Sequence, residues 1–463
     1  MTVPPHNTDR TTSPTADLAA FAAHTRYDAL PSAVVERLQQ CLLDFVGVTA
    51  LGAREAESSQ ALRDGVTHLA GRDGGAIVIG QSRRLPTEYA ALLNGAHAHS
   101  LDFDDTFIGG GLHPGAAVIP AALATAQDTD VSGPGFLTAV AVGYETSCRL
   151  GAALGQGAYR RGFHPTAIAG VFGAVAAVGR LRGLDAERLE HAFGLAGSMA
   201  AGSMQYLANG GWNKRLHPGL AARNALLAVA LASAGVIGAA QAIEGDLGLL
   251  AGYSAAPEPA ALVAGLGTEW RLTGTGIKPY PSCRLTHGAI DAARRLRDAL
   301  SGRPLDEGRL TVRISPEAYA IVGAPEDRKV TPVNTVDGQF SVYFQIAAAL
   351  LDATVTWDSY RRIGDPATRR LASRVSVSAD DAITPAGAVL TWHGPDGRDI
   401  EARVDEPSGE PGTTLSWELV EAKFDSAAAA VYGAGTRRAL AAEIRTLHQA
   451  PSLVRLQRLL TAA

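Results

Sequence analysis

Two different hydrophobic periods divide the chain, and the change between them falls near residue 270. From about residue 16 to residue 265, apolar positions repeat with helical spacing in Ala- and Leu-rich segments, which Gly and Pro separate. Many of the helix faces carry Ala and Gly, which allow helices to approach one another closely. The predicted helices of this half are 32–50, 87–98, 135–150, 167–182, 186–200 and 218–234.

After residue 270, short segments alternate between apolar and polar residues, as in β-strands that are exposed on one face. Predicted strands cover 309–315, 374–378, 388–392 and 399–404. Between the last two, Pro395, Asp396 and Gly397 form a turn signal, which predicts a β-hairpin. Helices are predicted at 285–301 and 339–352, and the pattern is helical again from residue 415 onward.

The fold class predicted from these patterns is mainly α, with a large all-helical domain and a smaller inserted α+β lid domain. The helical domain is predicted to cover 16–268 and to be completed by 412–463, and the lid domain to cover 269–411. Residues 1–15 are polar and rich in Pro and Thr, which is typical of a disordered tail. A cleft between two domains is a preferred place for a ligand.

Composition and charge exclude several classes of protein. The chain of 463 residues has a net charge of -5 and no basic stripe, so a nucleic-acid partner is not expected. No apolar run reaches the roughly 20 residues that span a bilayer, so a membrane partner is not expected either. Three cysteines lie far apart and form no CxxC pair, which favours a reducing cytoplasm over a disulfide framework or a zinc site.

Three carboxylates stand within four residues in the segment 101–106 (LDFDDT). Their repulsion must be offset by cations, hydrogen bonds or raised pKa values. If the segment is helical, Asp102 and Thr106 share one face, with Asp105 beside them. A solvated loop or a helix cap is the ordinary alternative for an Asp-rich stretch.

Two metal-dependent alternatives also start from this segment. The pattern DxDxT resembles the nucleophile motif of haloacid-dehalogenase phosphotransferases, but that motif follows a buried strand, and residues 94–100 (NGAHAHS) contain no β-branched run. An enzyme that binds Mg²⁺ and a diphosphate through aspartates needs a second acidic motif on another helix, and the sequence offers none. A Mg-dependent phosphate or diphosphate enzyme therefore stays a remote alternative.

The dipeptide His-Pro occurs three times, at His113, His164 and His217, and each time an apolar segment of helical pattern follows. Proline is favoured at the first position of a helix, which places each histidine at an N-cap. The helix dipole there lowers the pKa of an imidazole and attracts carboxylates, so a neutral histidine can act as a general base. Of the three histidines, His217 is the one expected to have a structural role, because Lys214 and Arg215 just before it already supply the cations of the site.

Lysine is rare, with only Lys214, Lys278, Lys329 and Lys423 in the chain. The first two lie in loop-like motifs, residues 212–219 (WNKRLHPG) and 277–287 (IKPYPSCRLTH), rather than on solvated helix faces. Either lysine could hold a carboxylate and stabilise the enediolate that forms when a proton leaves the adjacent carbon.

Five ordered blocks together carry a resemblance to a known family. They are residues 94–106 (NGAHAHSLDFDDT), 112–114 (LHP), 162–166 (GFHPT), 213–219 (NKRLHPG) and 278–283 (KPYPSC). From about residue 16 to the C-terminus the chain resembles the MmgE/PrpD family, which includes 2-methylcitrate dehydratase, cis-aconitate decarboxylase and iminodisuccinate epimerase. The resemblance implies a helical domain with an α+β lid, a homodimer, and no metal or organic cofactor.

The resemblance also implies the residues of the active site. They carry over as Asp102, Thr106, His113, His164, Lys214 and Lys278, with Tyr343 added from a short match at residues 340–343 (FSVY). His113 is expected to be the principal acid or base and His164 a second proton carrier. The two lysines are expected to bind substrate carboxylates, while Asp102 and Thr106 orient these groups; Thr106 and Tyr343 are also expected to contact substrate.

The predicted function is therefore a cofactor-independent lyase that acts next to a carboxylate of a small polycarboxylic acid. The naming member of the family favours dehydration of the 2-methylcitrate type. A decarboxylase of the cis-aconitate type and an epimerase of the iminodisuccinate type use the same constellation, and both stay open as alternatives.

Overall fold

The computed structural model describes residues 13–300, 302–303, 305 and 308–461. Within these residues helices dominate and confirm the predicted mainly α class. The helices are α1 Pro14–His24, α2 Ser32–Glu55, α3 Ser59–Ala70, α4 Thr87–Ala98, α5 Pro114–Thr125, α6 Gly133–Leu154, α7 Gly157–Arg160, α8 Pro165–Leu181, α9 Ala186–Gly197, α10 Tyr206–Asn209, α11 Asn213–Ser233, α12 Leu249–Tyr253, α13 His287–Leu300, α14 Pro316–Ala318, α15 Glu326–Val330, α16 Thr335–Gln339, α17 Val342–Asp352, α18 Pro366–Ala372, α19 Trp417–Ala428, α20 Ala434–Arg445 and α21 Val454–Leu460.

The strands form two small sheets. They are β1 Thr106–Phe107, β2 Thr275–Gly276, β3 Arg309–Ile314, β4 Val375–Ala379, β5 Ala388–His393 and β6 Asp399–Val404. The larger sheet has the order β4-β3-β5-β6, in which β3 and β4 are parallel and the other pairs antiparallel. Strands β5 and β6 are the predicted hairpin, and Gly397 in its turn has φ 77°, which favours glycine.

The largest buried apolar cluster is helical, with α5 and α8 at its centre. Every residue of α5 is buried, as expected for a helix that is apolar on all faces. The cluster also contains residues of α19, α20 and α21, so the C-terminal helices pack with the N-terminal half of the chain. Helix α19 lies against α2, and α20 packs against both.

A second buried cluster forms on the larger sheet, where α13 packs on β5 and β6 and α17 packs on α13. The exact boundaries proposed for the two domains stay predictions, although the two clusters divide the chain in a similar way. Residues 1–12 of the predicted tail lie outside the described residues. Ser13 caps α1, and Pro14 and Thr15 lie in its first turn.

A close crossing of α4 and α11 fixes the relative position of two segments that matter below. Gly95 of α4 faces Gly219 of α11, and a Cβ built on Gly219 would lie 2.2 Å from the carbonyl oxygen of Leu92. The crossing therefore requires glycine at this position. Among the described residues, no helix combines the length and the apolar character needed to cross a lipid bilayer.

Candidate active site

The aspartate segment is a buried turn between α4 and β1, and the alternative of a helical segment is wrong. Asp102 has φ 52°, in the left-handed region that a helix does not use but that Asp tolerates better than most residues. Asp102, Asp104 and Asp105 are each at most 3% exposed. Each of the three carboxylates contacts a different set of partners. These contacts offset the repulsion between the carboxylates.

Asp102 holds two lysines on one oxygen. Its Oδ1 lies 2.6 Å from Nζ of Lys278 and 2.9 Å from Nζ of Lys214. Lys278 also donates to the backbone oxygens of Asp102 and Ser282. Burial alone would raise the pKa of Asp102, but Lys214 and Lys278 outweigh it and hold this pKa well below its ordinary value. One buried carboxylate therefore pairs with two lysine side chains.

Asp104 contacts two histidines. Its Oδ2 lies 2.7 Å from Nδ1 of His99 and 3.4 Å from Nδ1 of His113. Burial alone would raise the pKa of Asp104, yet His113 and His99 hold it well below its ordinary value. A carboxylate beside Nδ1 favours the proton on that nitrogen, which leaves Nε2 of His113 as the atom available for acid–base chemistry.

His113 is the N-cap of α5, as the His-Pro motif predicts, and Pro114 is its first residue. The backbone N–H of His113 donates to Oγ1 of Thr166 at 3.1 Å, and Nδ1 lies 3.4 Å from Oγ1 of Thr106. Thr106 in turn pairs across the small sheet with Gly276. The same sheet thus fixes Thr106 beside the segment that carries Lys278.

His164 is the N-cap of α8, again as predicted, and its Nδ1 lies 3.1 Å from Nδ1 of His217. Burial lowers the pKa of His164 well below its ordinary value and that of His217 to about 4. Both imidazoles are therefore neutral near pH 7. The prediction that His217 starts a helix is wrong: α11 begins at Asn213, and Pro218 lies inside it.

The rings of the histidines form a continuous group. His99 lies between the two N-cap histidines, with ring centroids 4.6 Å from His113 and 5.5 Å from His164. Burial lowers the pKa of His99 to about 4, although Asp104 acts in the opposite direction. Its Nε2 is buried and has no hydrogen-bond partner among the described residues.

Asp105 faces away from this group and supports α5. Its Oδ2 accepts a hydrogen bond from the hydroxyl of Tyr144 at 2.6 Å, and its Oδ1 accepts from the backbone N–H of Gly115 at 3.1 Å. Burial raises the pKa of Asp105 to about 7. A Cβ built on Gly115 would lie 2.4 Å from the Tyr144 hydroxyl and 2.7 Å from Oδ2 of Asp105, so glycine is required there.

A pocket of about 190 Å³ opens beside these groups. Six of the seven predicted site residues line it, namely Asp102, Thr106, His113, His164, Lys214 and Lys278. Further residues line the pocket that the sequence does not predict, among them Tyr159, Tyr206, Cys283, Arg284, Glu317 and Phe340. Cys283 lies in the KPYPSC block, Arg284 follows it directly and Phe340 begins the FSVY match, but the chain around Tyr159 and Glu317 carries no local pattern that marks a site.

Tyr343 is the predicted site residue that the structure does not bring to this pocket. It lies in the first turn of α17, is 1% exposed, and donates its hydroxyl to the backbone oxygen of Gly323 at 3.3 Å. The predicted contact of Tyr343 with substrate therefore has no support in this arrangement.

Asp104 and His99 belong to the site but were not predicted as site residues. Their role depends on contacts with each other and with His113, which spacing along the sequence does not show.

His99, Asp104 and His113 are also the one group of described residues with three potential metal-ligand atoms within 4.8 Å of one another. A tetrahedral zinc ion would hold its ligand atoms about 3.4 Å apart, given bonds of about 2.1 Å. Nδ1 of His99 and Oδ2 of Asp104 are 2.7 Å apart, which is the distance of a hydrogen bond. The three residues therefore fit a hydrogen-bonded acid–base group better than a metal site.

The alternative of a Mg-dependent phosphate enzyme meets a similar difficulty. It needs carboxylates that are free to bind a cation, whereas Asp102 already holds two lysines and Asp104 two histidines. A helix, α4, also precedes the segment, where the phosphotransferase motif requires a strand.

These observations define an enzyme-like centre: two N-cap imidazoles and a lysine pair converge on one pocket. Comparison with known proteins agrees with that class. Residues 16–262 match the MmgE/PrpD N-terminal domain, and residues 280–449 match the MmgE/PrpD C-terminal domain. The chain therefore belongs to the MmgE/PrpD family, and it is an enzyme.

Relatives of similar length carry names that specify a reaction. A cis-aconitate decarboxylase of Aspergillus terreus is 29% identical over 425 residues, which cover 85% of each chain. The cis-aconitate decarboxylase of Homo sapiens is 30% identical over 414 residues, covering 85% of this chain and 83% of its own. A cis-aconitate decarboxylase-like protein, oryM, of Aspergillus oryzae is 30% identical over 369 residues, covering 75% of each.

Proposed function

We propose that the protein is a cofactor-independent lyase that decarboxylates a small unsaturated polycarboxylic acid of the cis-aconitate type. The observation that carries this proposal is the pair of lysines on Asp102 Oδ1, beside the two N-cap histidines in one pocket. Such a pocket offers cations for carboxylates and imidazoles for proton transfer. The names of the relatives favour decarboxylation over the dehydration that the sequence analysis favoured.

The proposed reaction breaks the carbon–carbon bond to one carboxylate and releases CO₂. The electron pair of that bond passes into the conjugated system and reaches a remaining carboxylate, where Lys214 and Lys278 stabilise the developing charge. Nε2 of His113 takes up a proton from solvent, while Asp104 offsets the charge of the imidazolium, and delivers that proton to carbon, so the ring returns to its starting form. Asp104 keeps the opposite nitrogen of His113 protonated throughout, while Thr106 lies beside it.

Dehydration of a citrate-type acid is the second candidate, because the pocket holds two separate proton carriers. His113 lies beside a carboxylate, whereas His164 lies beside a neutral imidazole. One of these groups would remove the α-proton and the other would protonate the departing hydroxide. An epimerase would use the same two groups to exchange a single proton.

A substrate panel distinguishes these reactions. The purified protein is incubated in D₂O with cis-aconitate, citrate, 2-methylcitrate and aspartate-derived acids. CO₂ release, ultraviolet absorbance and deuterium incorporation are then followed. CO₂ release with one deuterium in the product supports the proposal. Absorbance that rises without CO₂ indicates dehydration, exchange without net product indicates epimerisation, and no reaction with any acid contradicts the proposed class.

We also infer that the protein works as a homodimer in the cytoplasm. The described surface carries exposed apolar side chains beyond the end of α11, including Ile237 and Leu247, which a second copy could cover. Light scattering after size exclusion tests the dimer, and a monomeric mass would contradict it.

The cysteines support the cytoplasmic location. Cys41, Cys148 and Cys283 are all free thiols, which is in keeping with a reducing compartment.

A further inference from the structure

Lys329 lines a second cavity next to the catalytic pocket. This cavity has a volume of about 220 Å³ and shares Tyr159, Ile321 and Phe340 with the catalytic pocket as a common wall. Its far side is formed by the segment that carries Arg328 and Lys329. The two cavities are therefore neighbours that these three side chains separate.

The ring of Phe340 is in contact with two ammonium groups. Nζ of Lys214 is 5.1 Å from the ring centroid, and Nζ of Lys329 is 5.9 Å from the same centroid. The two Nζ atoms are consequently no farther apart than these two distances added together. A molecule that carries carboxylates at both ends of a carbon chain of matching length can therefore contact both cations.

Lys329 differs from the other three lysines in its partners. Lys214 and Lys278 share Asp102, and Lys423 lies 2.6 Å from Asp44, whereas Lys329 has no carboxylate within ion-pair distance among the described residues. Burial lowers the pKa of Lys329, as expected for a partly buried cation that lacks such a partner. The neighbouring Arg328 is 3.8 Å from Asp337, so the acidic residue of this cavity already has a cation.

The start of α17 holds the segment that carries Lys329. Ser341 donates its hydroxyl to the backbone oxygen of Lys329, and Tyr343 donates to the backbone oxygen of Gly323. Phe340, the residue directly before Ser341, forms part of the shared wall. The segment that carries Lys329 is therefore anchored at two backbone carbonyls, and Tyr343 supplies one of these anchors.

We propose that the cavity lined by Lys329 is a second anion subsite, which binds a distal carboxylate of the substrate. The inference rests on the proposed function and narrows it: the substrate class is a polycarboxylate with one carboxylate on an arm that extends past Phe340. Lys214 and Lys278 hold the reacting end, and Lys329 selects for the extra carboxylate. This gives Lys329 a role in specificity and none in proton transfer.

Binding of unreactive saturated acids tests the subsite. Succinate, propane-1,2,3-tricarboxylate and butane-1,2,3,4-tetracarboxylate are titrated by calorimetry into wild type, Lys329→Met and Lys329→Arg. We expect Lys329→Met to weaken binding of the longest acid by about tenfold or more, the scale of one charge-assisted hydrogen bond, and to leave succinate nearly unchanged. Lys329→Arg should retain most of the affinity. Arg398→Met removes an exposed positive charge from the β5–β6 turn and should change nothing.

Each outcome separates the subsite from the proposed function. If Lys329→Met weakens all three acids equally, or none of them, the subsite is refuted while the polycarboxylate class stands. If the wild type binds none of the acids, both proposals fail. Thermal unfolding of each variant without ligand shows whether the fold is kept, and Lys329→Arg provides the comparison if Lys329→Met unfolds.

Discussion

The Nδ1 atoms of His164 and His217 lie 3.1 Å apart, so one of them must donate a proton to the other. Because both rings are neutral near pH 7, this contact couples their tautomers. A proton on Nδ1 of His164 leaves its Nε2 as a base, whereas a proton on Nδ1 of His217 makes Nε2 of His164 a donor. His217 therefore controls what His164 presents to substrate, although it does not line the pocket itself.

The first prediction concerns His217. We expect His217→Phe to lower kcat about tenfold or more, because the tautomer of His164 is no longer fixed, while KM changes less. His217→Gln can either donate or accept and should recover part of the loss. Steady-state kinetics between about pH 6 and about pH 9 check this. A similar loss in both variants would point to a purely structural role for His217.

The second prediction concerns the proton donor. We expect His113→Ala to reduce turnover by about 10²-fold or more, the usual scale of general acid–base catalysis, and to leave the fold intact. The substrate panel provides the assay, and circular dichroism provides the control. Turnover close to that of the wild type would remove His113 from the mechanism.

Most regular elements could be predicted from the sequence because their signals are local. Helix α4 has the predicted bounds Thr87–Ala98, β6 has the predicted bounds Asp399–Val404, and the hairpin turn follows from Pro395 and Gly397. The two His-Pro dipeptides before α5 and α8 also predict their helix starts, since proline at the first helical position needs no tertiary contact.

The turn at Asp102 could not be predicted in this way. Its left-handed backbone is accompanied by contacts with Lys214 and Lys278, which lie more than a hundred residues away in the sequence. The helical alternative considered only i,i+4 neighbours, and such spacing carries no information about distant cations. The start of α11 was also predicted wrongly. Proline is favoured at the first position of a helix, but this preference does not exclude an additional helical turn before His217.

The third prediction concerns Asp102 itself. Asn fits the same space and tolerates a positive φ, so Asp102→Asn should fold. It removes the negative charge that both lysines share, and free lysines bind anions more strongly but no longer in a fixed geometry. We expect kcat to fall about 100-fold while KM stays the same or falls. An unchanged kcat with a higher KM would mean that Asp102 only helps to bind substrate.

The fourth prediction concerns metal dependence. Because the aspartates of residues 102–105 already have lysine, histidine or tyrosine partners, we expect EDTA to leave activity unchanged. Activity is measured before and after dialysis against EDTA, with added Mg²⁺ and Zn²⁺ in parallel. Activity that is lost with EDTA and returns with Mg²⁺ would favour the phosphate-type alternative. Recovery with Zn²⁺ would instead assign a metal to His99, Asp104 and His113.

The fifth prediction concerns a buried ion pair behind the site. Nζ of Lys423 lies 2.6 Å from Oδ1 of Asp44 and 3.8 Å from the ring centroid of Phe103, between Asp102 and Asp104. Burial raises the pKa of Asp44 to about 6, even with Lys423 beside it. A raised folded-state pKa contributes stability that is full below the unfolded value, near pH 4, and is lost as the pH rises through about 6.

Without Lys423, Asp44 has no cation that favours its charged form, so its pKa should rise further. The loss of stability that accompanies ionisation of Asp44 should then continue to higher pH. We expect Lys423→Met to lower the unfolding free energy by about 3–5 kcal/mol near pH 8, and by clearly less near pH 5, where Asp44 can take up a proton. The double variant Asp44→Asn, Lys423→Met leaves no buried charge and should recover much of the stability at the higher pH. Denaturant unfolding at the two pH values measures this difference. An equal loss at both pH values would show that Lys423 stabilises the fold through its contact with Phe103 rather than through Asp44.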